Sequence, residues 1–88
     1  MGKRKFKVSM FFNTEIELDD EVINVVNDKW RNVLYDLYTP KEIAEYIVYN
    51  MVVNHANLSQ LDGWADQSND NAKLGHIHWE TESVDEIK

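Results

Sequence analysis

The sequence predicts an α+β fold, two layers deep, with two helices packed on a small sheet in the order β-α-α-β. Three observations predict it. Residues 5–18 and 76–82 alternate apolar and polar side chains with the period of two that a half-buried strand requires. Residues 20–38, and 40 to about 57, instead repeat apolar side chains at helical spacing. Between them, Thr39-Pro40 punctuates the chain, because the residue before a proline avoids the helical region while proline suits the first position of the next helix. Such an order lays both helices on one face of an antiparallel or mixed sheet.

The first strand places Phe6, Val8, Met10, Phe12, Thr14, Ile16 and Leu18 on one side, which is expected to be buried. It is long, but its phase is unbroken at Asn13-Thr14, which favours one continuous strand over a hairpin. Phe11 is the one aromatic on the polar side. Asp19-Asp20 then supplies an N-cap with charge that suits the helix dipole. The helix over 20–38 carries Val22, Ile23, Val26, Trp30, Val33, Leu34 and Leu37 in one stripe, with Trp30 as a core anchor and Tyr35 on the solvated face.

The central helix opens on Thr39, Pro40 and Glu42, a capping box. Ile43, Ala44, Ile47, Val48 and Met51 form its first stripe, continued by Leu58; Tyr46, Tyr49, Val52, Val53 and Ala56 lie opposite. A helix that is apolar on two faces buries both or offers one to a partner. A short turn is expected at Leu58–Leu61 and a sharp one at Asp62-Gly63, followed by a flexible polar loop over about 65–75. The strand over 76–82 sets Ile77, Trp79 and Thr81 against His76, His78, Glu80 and Glu82, and the tail 83–88 is expected to fray. Two strands alone make a marginal sheet. A further strand hidden in 65–74, a hairpin in the first strand, or a second subunit would complete it.

All of this reads as a single domain over 1–88, with a basic arm at 1–5. Absence of cysteine excludes disulfides and thiolate chemistry and suits a reducing cytoplasm. No apolar run is long enough for a membrane span, and the basic start leads into an alternating pattern instead of the apolar core of a signal peptide. The net charge of −7 is uneven, for Lys3, Arg4, Lys5 and Lys7 precede a body in which acids dominate. Such a body repels phosphate backbones, excluding direct nucleic-acid binding, and is steered toward basic surfaces.

Chemistry has few footholds. The three glycines are isolated, so no phosphate-cradling loop exists, and no serine sits in a nucleophile elbow. His76-Ile77-His78 puts two imidazoles on one strand face beside Glu80, and His55 is a candidate third nitrogen for zinc. A solvated strand face in which these histidines pair with Lys5 and Lys7 is the favoured alternative. No cofactor is expected.

The stretches EIAEYIVYN and LSQLDGWADQ, within residues 19–67, resemble small bacteriophage-encoded proteins. The resemblance implies a host-takeover or counter-defence setting, in which small acidic proteins bind and block a host machine in the host cytoplasm. The expected function is thus a non-enzymatic protein-binding module that inhibits a host defence, nuclease or transcription complex. The expected contacts are Tyr46, Tyr49 and Val53 on the helix, and Asp62, Asp66 and Asp70 around Trp64 as an aromatic anchor; Trp64 as a lid on the core is weighed equally. The second helix face and the shortage of strands predict a homodimer. The competing reading is a small metal-dependent enzyme or ligand-binding protein built on His55, His76, His78 and Glu80.

Overall fold

In the computed structural model, which describes residues 2–87, the chain divides into a helical lobe over about 14–77 and a two-stranded ribbon that projects from it. The α+β class holds. Strand β1 (Lys5–Asn13) pairs antiparallel with β4 (His78–Ile87), and the short β2 (Ile16–Leu18) pairs antiparallel with β3 (Ala72–Leu74). Residues 5–18 are therefore neither one continuous strand nor a hairpin. Their ladder breaks at Thr14-Glu15, where the opposite arm holds one residue more. Thr14 donates its hydroxyl proton to the His76 carbonyl at 3.0 Å, and Gly75 N–H donates to the Glu15 carbonyl at 2.7 Å. A second extra residue in β4, opposite Ser9-Met10, makes a bulge.

The strand hidden in the polar loop exists, as β3. That segment is also well tied, contrary to the flexible loop expected: Asp19 N–H reaches the Asn71 carbonyl at 2.8 Å, and Ser59 N–H reaches Asn69 Oδ1 at 2.9 Å. Residues 83–87, expected to fray, complete β4; Lys88 lies outside the described residues.

Helix α1 (Asp20–Asn24) is capped by Asp19, whose carboxylate accepts from Glu21 N–H at 3.0 Å. The single helix expected to 38 is instead two. Asn27 stops the β-branched run and caps α2 (Asp28–Val33), accepting from Trp30 N–H at 2.9 Å. Residues 34–38 leave the helix well before Pro40, with Arg31 donating to the Leu37 carbonyl at 2.6 Å and stacking over Tyr38. Helix α3 (Pro40–Val53) starts as its sequence dictates, Thr39 accepting from Glu42 N–H at 3.1 Å. It ends at Asn54, with His55 at a φ of +54°. A 3₁₀ turn over Leu58–Gln60 follows as expected.

The core lies wholly within the lobe. Val22, Val26, Trp30, Ile43, Ile47, Leu58, Leu61, Trp64 and Ala72 pack together, with Ile16 and Leu18 against them. The small sheet that carries the helices is thus β2–β3. Gly63 has a φ of +93°, and any Cβ there would lie 2.5 Å from the Trp30 indole nitrogen, so this turn admits only glycine.

Along the ribbon the apolar stripe is not buried. Phe6, Val8, Met10, Trp79 and Val84 share one face in the observed register and remain 49–56% exposed. The molecule measures 57 × 28 × 22 Å with a radius of gyration of 17.1 Å, against about 12 Å for a compact domain of this length. Charge divides along the same line. In the ribbon and its leading residues Lys3, Arg4, Lys5 and Lys7 offset Glu80, Glu82, Asp85 and Glu86, while within residues 14–77 acids outnumber bases by eight. Near the ribbon tip Arg4 forks onto Glu86 at 2.6 and 2.8 Å, which holds that carboxyl below its ordinary range.

Candidate functional site

All four tyrosines of the chain fall between residues 35 and 49, on either side of Thr39-Pro40. The irregular stretch over 34–38 brings Tyr35 back against Tyr46, while Tyr38 stays exposed under Arg31. The Tyr35 and Tyr46 rings lie 5.1 Å apart, Tyr46 is 6.0 Å from Trp64, and Trp30 closes the circuit at 5.1 Å from Trp64 and 6.2 Å from Tyr35. Four rings thus run from the core to the surface. Tilted pairs at these separations stabilise one another by about 0.5–1.5 kcal/mol each beyond their burial. The outer end of the circuit opens on a shallow depression of about 320 Å³, lined by Leu37, Glu42, Glu45, Tyr46 and Tyr49.

Both charged residues that line this site are acids, and Arg31 adjoins it only through the Leu37 carbonyl. Glu42 and Glu45 sit at its wall, and the Tyr35 hydroxyl donates to Asp62 at 3.4 Å beside it. Burial pushes the Tyr46 phenol up to about 12, with the Tyr35 hydroxyl and the negative charge of Asp62 adding to the shift. An uncharged, wet-rimmed aromatic floor under carboxylates suits a cation with an apolar stem, which is to say arginine or lysine.

The expected contact residues are partly gathered here. Tyr46 is half-buried in the floor, Tyr49 is exposed at the edge, and Val53 is exposed one turn further along α3. Asp62 belongs to the same neighbourhood through Tyr35. Trp64 does not act as a surface anchor. It is 0% exposed and donates its indole N–H to the Val22 carbonyl at 2.9 Å, so the lid reading is the correct one. Without a central tryptophan the three aspartates lose the arrangement expected of them. Asp66 is exposed, while Asp70 lines a separate small depression with Glu17, Asp19 and Lys73. Sequence reasoning missed Tyr35, Leu37 and the role of Glu42 and Glu45, because a continuous helix to residue 38 points Tyr35 at solvent. The clustering of every tyrosine around one proline was the available signal.

The histidine constellation comes out differently. His76 and His78 meet edge-on at 4.6 Å beside an open depression of about 400 Å³ lined also by Asn13, Thr14, Glu15 and Gly75. His76 is not in a strand, and His78 pairs with Asn13; Lys5 and Lys7 pair instead with Ile87 and Asp85. Glu80 accepts from the Asn13 side-chain amide at 3.4 Å, and His55 stands at the end of α3. Among the described residues no three His, Asp or Glu side chains converge into a metal-holding group. Among them, too, no helix is long and apolar enough to cross a membrane. Comparison with known proteins finds no matching family model, no matching curated protein and no matching solved structure.

Proposed function

We propose that this chain is a non-enzymatic, acidic protein-binding module that takes an arginine- or lysine-bearing segment of a partner protein into the tyrosine depression. The observation that carries the reading is one apolar hollow floored by Tyr46, edged by Tyr49 and walled by Glu42 and Glu45, on a chain of net charge −7. The acidic lobe raises the encounter rate with a basic surface, and the rings supply the desolvated contact that holds it. Val53 extends the surface along α3, and Asp62 adds charge behind Tyr35. We further propose a phage origin, which makes the target a host protein or nucleoprotein complex and its blockade the outcome.

A titration with a short peptide of alternating arginine and leucine, followed by backbone amide resonances, tests this. Shifts should concentrate on residues 42–53, 35–38 and 62, and should weaken steeply as salt rises. Glu42→Gln with Glu45→Gln should weaken binding by about tenfold while preserving shape. Shifts spread evenly over the acidic lobe, or a response flat in salt, would overturn the assignment.

A further inference from the structure

We propose that the apolar face of the β1–β4 ribbon is closed by the same face of a second copy, the two ribbons lying antiparallel with their lobes at opposite ends. In sequence phase the face continues, across the ladder break at Thr14-Glu15, the side of the chain that faces the lobe's core. Ile16 and Leu18 stand in phase with Phe6, Val8 and Met10 along the same arm, yet the helices cover only the first two. Among the described residues nothing beyond the lobe covers the remainder, and an isolated two-stranded ribbon is marginally stable in water.

Several observations select a second copy over another occupant. The five half-exposed side chains present on the order of 500 Å² per copy, so face-to-face pairing removes at most roughly 1,000 Å², which reaches the lower bound for a specific interface. The patch is self-complementary, as a two-fold contact requires, because its face is apolar apart from Thr81 and, at the tip, Glu86, whose charge Arg4 already pairs. Its charges are balanced, whereas the lobes carry the net negative charge and repel. Stacked sheets lie about 10 Å apart, much less than the 22–28 Å girth of the molecule. Lobes at the same end would collide, so the antiparallel arrangement follows. It sets Phe6 of one copy near the Phe12–Trp79 pair of the other, with Val8 and Met10 close to the two-fold axis. The surface differs from the helix face at Tyr49 and Val53 that the sequence favoured for dimerisation, and it is independent of the tyrosine depression, so either assignment can fail alone.

Light scattering on the full chain at high micromolar concentration should report a dimer, and Val8→Lys should raise its dissociation constant at least tenfold while the near-ultraviolet signal of Trp30 and Trp64 persists. Because the chain has no cysteine, Met10→Cys gives a unique thiol that a short bismaleimide should join to its counterpart, whereas Tyr49→Cys should stay unlinked. The Met10→Cys readout decides the matter if the Val8→Lys chain fails to fold. A monomeric wild type, or a dimer linked through Tyr49→Cys and not through Met10→Cys, would overturn the proposal.

Discussion

The two ends of one apolar stripe meet opposite fates. In the lobe Ile16 and Leu18 pack on a core closed by three helices and two tryptophans; in the ribbon Phe6, Val8 and Met10 are about half in water. Residue type and spacing are the same in both. What differs is whether another element reaches that length of chain. Alternation reports that a strand will form and which face wants cover, but it is silent about what supplies the cover.

The comparison breaks most visibly at tryptophan. Trp64→Ala should cost about 3–5 kcal/mol, since it empties a fully enclosed site and strands the Val22 carbonyl. Trp79→Ala, in dilute solution, should cost at most about 1.5 kcal/mol, the order of its pairing with Phe12 at 5.3 Å. Equal losses in chemical denaturation would remove the distinction between lobe and ribbon. Gly63→Ala should sharpen it with a loss of roughly 2–4 kcal/mol, from the clash with Trp30 and the left-handed backbone.

A smaller effect lies at the lobe surface. Tyr46 holds its proton up to about 12, above the ordinary tyrosine value of 10.0. The folded state therefore binds that proton more tightly than the unfolded chain does. The stability this represents is intact below pH 10 and is lost as pH rises from there through 12. Absorbance titration should show one tyrosine ionising late, and Tyr46→Phe should abolish that step and flatten the alkaline loss of stability. The smallest change concerns His55, where a φ of +54° strains any residue with a Cβ. His55→Gly should raise lobe stability by roughly 0.5 kcal/mol, read as an upward shift in denaturation midpoint, without altering the ribbon.

Local signals in the sequence were legible where the chain answers to itself. Thr39-Pro40 with Glu42, Asp19 before α1, the 3₁₀ turn at Leu58 and the turn at Gly63 all depend on neighbours within a few residues, and all form where expected. The break at Asn27 is local too, but the apolar stripe runs through it and hides it. Illegible were the features set by distant partners: the split of residues 5–18 between β4 and β3, the order in 83–87, and the inward turn of Trp64. At the candidate site Tyr46, Tyr49 and Val53 were readable from the second face of α3. Tyr35 was not, because its position depends on the chain leaving the helix at Leu34.

Hydrogen exchange across a dilution series tests the contrast between lobe and ribbon most directly. Amides of α3 and of the Leu58–Trp64 segment should keep the same protection from high micromolar to nanomolar concentration. Those of β1 and β4 should be protected at the high end and lose that protection together on dilution. Ribbon protection that does not change with concentration would show that the two strands are stable in a single copy, and would contradict the account.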